Sequence, residues 1–203
     1  MKLFLTSTIF LNDKVTKEVF KYINKPISEC KVLFIPNEKA TFEILNTRKY
    51  LDRVNKWGFS ENNIYIFNKY EVEKYRNLNI DIITVGGGNT FETLNIIRKC
   101  NFDKDIINYV KNGVIYIGGS CGSHIVTSNI KHLEKYDENS CNIKDYDGLN
   151  LFNGILICHY DKDRENDYKK LLNDKKFNIY TLKDNEFLIC DNNKIEKKQV
   201  LLW

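Results

Sequence analysis

Short apolar runs alternate with longer amphipathic ones through the first half of the chain. Residues 2–6, 32–35, 64–67, 80–85 and 114–117 are short and apolar enough to read as strands. Pro36 closes the second of these runs, because proline cannot donate to a sheet ladder. The 80–85 run is apolar apart from Asp81 and Thr84, which suits a strand covered on both faces. Residues 14–23, 41–57, 90–99 and 105–111 read as helices. In the second of these, Ile44, Leu45, Leu51 and Val54 recur at helical spacing and Gly58 sits just past the end. The remainder is less regular. It predicts strands near 155–158, 178–180 and 187–190, a helix near 164–172 and a last strand closing the chain. Alternating strands and helices imply an α/β fold with parallel pairing and helices on both faces. Sites in such sheets lie at the carboxyl ends of the strands, which points to the loops after Val85 and Ile117.

Composition narrows this little. The 203 residues suffice for one domain with a sizeable core, and no low-complexity linker or repeat divides 1–203. The net charge is +4, but lysines and acids interleave, so no basic stripe for nucleic acid stands out. The apolar start at Met1 is too short for a secretory signal, and no run approaches a membrane span. The expectation is a cytoplasmic protein with no membrane partner. Six cysteines are scattered with no C-x-x-C pair, which argues against a zinc ribbon or a redox motif.

Residues 117–122 read Ile-Gly-Gly-Ser-Cys-Gly, a G-x-S-x-G motif between an apolar strand and a helical segment. Small neighbours let the chain turn tightly and present the Ser120 hydroxyl at the start of a helix. The amide of Cys121 can then face a developing oxyanion. Cys121 competes as nucleophile, but the same elbow centred on it requires glycine at 123, where Ser123 stands. Residues 85–90 read Val-Gly-Gly-Gly-Asn-Thr, again closing a strand and opening a helix. Neither a dinucleotide nor a Walker pattern is present. A second oxyanion donor, Gly88 or its neighbour Gly87, is the functional reading, and a tight turn capped by Asn89 or Thr90 is the structural one.

The chain has three histidines. His124 and His132 lie on or just after the segment that follows Ser120, where a surface or packing role is expected. His159 ends the apolar run Ile155-Leu156-Ile157-Cys158, at the carboxyl end of a strand, where a general base for Ser120 should arrive.

Together these stretches resemble the aspartyl dipeptidase (dipeptidase E) family of serine peptidases. The resemblance is carried by residues 83–91, 116–120 and 147–152 leading to His159, with Phe34-Ile35-Pro36 and the strand-rich tail 181–194 also fitting. It implies a three-layer α/β/α fold with a mostly parallel sheet and a nucleophile elbow, of the class I glutamine amidotransferase-like or flavodoxin-like kind. It further implies a Ser-His-Asp triad, short peptide substrates, a monomer or homodimer, and no metal or organic cofactor. Ser120 and His159 carry over directly. The family's spacing, counted back from Asp147, puts the acid at Asp137, with Asp145 and Asp161 as alternatives. Asn89 and Arg164 are candidate substrate-binding residues; the planar fork of Arg164 suits a substrate carboxylate and, no less, a surface ion pair. Cys121 stands where the family usually has alanine, and Cys158 where proline usually precedes the histidine. Arg164-Glu165 follows His159 quickly, as in shorter family members, which weighs against strict selection of an N-terminal aspartate. Two other readings remain open at this point: a non-catalytic peptide or small-molecule binder on the same fold, and a Cys121-dependent hydrolase.

Overall fold

The computed structural model describes residues 1–192 and 194–201. Its regular elements are β1 (Lys2–Thr6), α1 (Asp13–Phe20), β2 (Val32–Ile35), α2 (Phe42–Leu45), α3 (Lys49–Asn55), β3 (Ile64–Ile66), β4 (Ile82–Val85), α4 (Thr90–Lys99) and α5 (Asp103–Lys111). They continue with β5 (Ile115–Gly119), α6 (Cys121–His124), β6 (Ile155–Ile157), α7 (Glu165–Asp174), β7 (Ile179–Thr181), β8 (Glu186–Asp191) and β9 (Lys194–Gln199). Seven strands form one mixed sheet in the order β3-β2-β4-β5-β1-β8-β9. The first five of that order pair in parallel, and β8 and β9 add an antiparallel edge. Strands β6 and β7 make a separate parallel pair.

Alternation along the strands sorts side chains between two cores. Leu3, Leu5, Leu33, Ile35, Ile83 and Tyr116 face one side, with Phe91, Leu94 and Ile97 of α4 and Ile106 and Val110 of α5. Phe4, Val32, Phe34, Ile82 and Ile117 face the other, against Val15 and Val19 of α1 and Tyr50 and Val54 of α3. Each such burial stabilises by roughly 1.5–3 kcal/mol. The α/β layering expected from the alternation is therefore observed. Register matters for function: Gly118 of β5 lies beside Leu5 of β1 and Val85 of β4, so the loops leaving all three strands meet at one edge.

The helix expected over 41–57 is two helices. Asn46 ends the first, its Nδ2 donating to the Phe42 carbonyl at 2.9 Å, and the Thr47 hydroxyl donates to the Ile44 carbonyl at 2.7 Å. These local bonds compete with continued helix.

Asp81, the charge interrupting an apolar run, has a structural task. Its carboxylate accepts from the Lys31 amide at 2.7 Å and from Lys25 Nζ at 2.8 Å, tying the starts of β2 and β4 together. Partial burial works to raise its pKa, but the Lys25 ammonium and the Lys31 amide outweigh burial and hold it below the usual carboxylate value. A folded-state value below the unfolded one gives stability that is complete above about pH 4 and is lost as pH falls through the lower folded value. In urea unfolding, Asp81→Asn is expected to be less stable than wild type near neutrality. The gap should narrow as pH falls below about 4; a gap independent of pH contradicts this role.

Candidate active site

The backbone at Ser120 has φ 49° and ψ −108°, a conformation that side-chain-bearing residues rarely adopt. Its surroundings hold it there. The Ser120 amide donates to the Thr6 carbonyl at 2.8 Å, and the Ser120 carbonyl accepts from Ser123 and His124 amides at 2.9 and 3.0 Å. The Ser123 hydroxyl closes a reciprocal pair with Thr6, accepting from its amide at 2.9 Å and donating to its carbonyl at 2.7 Å. The Gly122 amide donates to the Gly86 carbonyl at 3.1 Å, and the fully buried Tyr116 hydroxyl donates to the Gly122 carbonyl at 2.6 Å. A Cβ at Gly122 would lie 2.1 Å from the Val85 carbonyl oxygen, so only glycine passes that close to β4. The helix after the elbow is a single turn, Cys121–His124.

His159 meets this elbow. Its Nε2 lies 3.0 Å from Ser120 Oγ, and its Nδ1 lies 2.6 Å from Asp184 Oδ1. His159 itself has φ 52°, and its amide donates to the buried Ser7 hydroxyl at 3.0 Å. Ser7 in turn donates to the Leu182 carbonyl at 3.0 Å, and Thr8 Oγ1 donates to the Asp184 carbonyl at 2.7 Å. The loop after β1 thus sets the segments carrying His159 and Asp184 relative to each other.

The carboxylate on His159 is Asp184, which corrects the expectation of Asp137. Asp137 Oδ2 accepts from the Thr90 amide at 2.8 Å, at the positive N-terminal end of α4, on the glycine-loop side of Ser120. Neither alternative takes its place. Asp161 caps the turn 162–164 through the Asp163 and Arg164 amides, and Asp145 pairs with Arg98 at 3.4 Å. Spacing counted back from Asp147 missed Asp184 because this acid follows the histidine in the chain. A signal was present: Asp184 stands just past β7, at a strand's carboxyl end, as His159 does for β6.

The glycine loop lies beside the elbow, with the Cβ position of Gly87 3.8 Å from Ser120 Cβ. Among the described residues, the amides of Gly87, Gly88 and Cys121 donate to no protein acceptor, while the Asn89 and Gly122 amides do. Asn89 caps α4, accepting from the Glu92 amide at 3.0 Å and donating to the Glu138 carbonyl at 2.8 Å, so its amide group is engaged at both ends. Arg164 donates to the Cys158 carbonyl at 2.6 Å, and its guanidinium lies 4.0 Å from the Tyr136 ring centre. Among the described residues it makes no ion pair.

His124 is buried and His132 half-buried, edge to face with ring centres 6.1 Å apart. Burial, then the charges of His132, His159 and Arg164, hold the His124 pKa well below its ordinary value. Neutral His124 accepts from the Cys158 amide at 3.4 Å, behind His159. The Cys121 thiol is 1 % exposed, points at the Asn89 carbonyl 3.7 Å away, and is pushed up to about 12, chiefly by burial. Cys158 is likewise buried and pushed up to about 12. Neither thiol is a ready thiolate at neutral pH. Among the described residues no group of three or more His, Cys, Asp or Glu side chains is arranged to hold a metal ion, and no helix is long and apolar enough to cross a membrane.

Residues 3–198 match the profile of peptidase family S51. An uncharacterized peptidase of Listeria monocytogenes is 30 % identical over 164 residues, covering 78 % of this chain and 77 % of that one. Peptidase E of Escherichia coli is 32 % identical over 103 residues, 46 % of this chain and 44 % of that protein. Among solved structures, a candidate peptidase E protein from Listeria monocytogenes superposes with a TM-score of 0.77 at 24 % identity, covering 98 % of both chains. A peptidase from an acI-B1 Actinobacterium superposes with a TM-score of 0.68 at 13 % identity, covering 98 % of this chain and 87 % of that one. At these identities the superpositions speak for the fold.

If the close approach at Gly122 holds the elbow, Gly122→Ala should cost about 2 kcal/mol or more by overpacking against β4. Chemical unfolding reads this directly, and an unchanged midpoint contradicts it.

Proposed function

The chain belongs to peptidase family S51, and on that premise we propose that it is a serine peptidase that hydrolyses dipeptides or short peptides through Ser120, His159 and Asp184. The observation that carries this reading is the continuous line of bonds: Asp184 Oδ1 to His159 Nδ1 at 2.6 Å, and His159 Nε2 to Ser120 Oγ at 3.0 Å. In this reading Asp184 holds the proton on Nδ1, which leaves Nε2 free to accept the Ser120 proton. Ser120 Oγ attacks the peptide carbonyl, and the unengaged amides of Gly88 (or Gly87) and Cys121 receive the oxygen as it gains charge. His159 returns its proton to the leaving amine, and water, activated by the same imidazole, releases the acyl group. The side chains of His159 and Asp184 are 36 % and 63 % exposed, so this line of groups opens to solvent.

Cys121 is the weaker nucleophile on this geometry, because its thiol is buried, points at the Asn89 carbonyl and is held protonated. A dipeptide library screen, followed by kcat/KM on the best substrate, tests the assignment. Ser120→Ala is expected to lose at least about 10⁴-fold, and Asp184→Asn about 10²- to 10⁴-fold. Asp137→Asn should stay within about tenfold of wild type, since its bond is to the Thr90 amide. Full activity in Ser120→Ala, or an equal loss in Asp137→Asn and Asp184→Asn, would refute it.

A further inference from the structure

Glu38 lies in the segment after β2 that leans on the glycine loop. Asn37 Nδ2 donates to the Gly87 carbonyl at 3.3 Å, and Glu38 Oε2 accepts from the Asn89 amide at 3.0 Å. A side chain at Gly88 would meet Glu38 Oε2 at 2.5 Å, so the carboxylate rests against the residue whose amide is the proposed oxyanion donor. Its negative charge is felt by the Cys121 thiol, next in the chain to Ser120. Glu38 is only partly buried, and among the described residues it has no cationic partner. Arg164, a candidate for a substrate carboxylate or a surface ion pair, is engaged by the Cys158 carbonyl and the Tyr136 ring.

An unpaired carboxylate at this place has a consequence for the substrate. It works against negative charge collecting on the scissile carbonyl oxygen, unless a positive group stands beside it. The first residue of a peptide carries such a group, its α-amine, two bonds from the carbonyl carbon. The same carboxylate repels a second negative charge brought by an acidic side chain. We propose that Glu38 receives the free α-ammonium of the peptide's first residue and selects against an acidic first side chain. This rests on the reading of Ser120 as the acylated nucleophile, which locates the scissile carbonyl. Preference for a free amino terminus and aversion to an N-terminal aspartate are then two effects of one charge.

Calorimetric titration of the Ser120→Ala protein with Ala-Leu, N-acetyl-Ala-Leu and Asp-Leu tests this without turnover. Ala-Leu should bind at least about tenfold more tightly than either of the others, the scale of one charge-assisted hydrogen bond. Adding Glu38→Gln keeps an oxygen for the Asn89 amide but removes the charge. It should bring the three ligands within about threefold of one another, mainly by weakening Ala-Leu. An unchanged melting temperature establishes that this second protein is folded. Equal binding of the three ligands when Glu38 is present, no binding of any, or an equal weakening of all three by Glu38→Gln would overturn the proposal. Hydrolysis by the protein with Ser120 intact is read separately. Turnover with no preference among the three peptides removes the role of Glu38 and leaves the peptidase reading. Selective binding with no turnover removes the peptidase reading and leaves Glu38.

Discussion

A serine backbone held at φ 49° and ψ −108° costs of order 1–3 kcal/mol, and most of the surrounding architecture can be understood as meeting that cost. The sheet supplies the anchor, because β5 lies between β1 and β4 and carries the turn to the edge where their loops also emerge. Thr6 takes the Ser120 amide and exchanges two hydrogen bonds with Ser123. Tyr116, fully buried within β5, reaches the carbonyl of Gly122. Buried hydrogen bonds in a low-dielectric setting resist rearrangement, so the turn has few alternatives open to it. The outcome is a hydroxyl projected from the sheet edge, with unengaged amides on both sides.

The second half of the site is assembled from a different part of the fold. The β6–β7 pair lies outside the seven-stranded sheet, yet the residues beyond its strand ends carry His159 and Asp184. Ser7 links the two bodies of structure, accepting from the His159 amide and donating to the Leu182 carbonyl. Behind them lies a buried neutral His124, whose Nε2 receives the Cys158 amide. His159 pays in strain as Ser120 does, with φ 52°. Two residues with positive φ thus face each other across 3.0 Å.

Much of this was legible in the amino-acid order, and the reasons differ by element. Strands β1, β2, β4 and β5 are nearly continuous apolar runs because both of their faces are covered, and such runs declare themselves. The elbow was legible because close packing demands small residues at fixed offsets from Ser120. That His159 would meet Ser120 was legible because an imidazole at a strand's carboxyl end is a positional signal. Asp184 was not found, although it obeys the same rule, because the spacing taken from the family resemblance led to an earlier acid. Asp137 in fact serves the N-terminus of α4. The break at Asn46 was hidden because short side-chain-to-backbone bonds leave no periodic trace. Of the surface or packing role expected for His124 and His132, packing is what the structure shows for His124, and the one-turn helix that carries it has too few residues to show beforehand which face is inward.

The central claim is that the strained turn presents the Ser120 hydroxyl at once to an imidazole and to unengaged amides. A crystal structure of the protein after reaction with a fluorophosphonate measures this most directly. The account predicts phosphorus bonded to Ser120 Oγ, one phosphonyl oxygen accepting from the amides of Cys121 and of Gly88 or Gly87, and His159 still bridging to Asp184. A phosphonyl oxygen turned to solvent, or attachment at a residue other than Ser120, would contradict it.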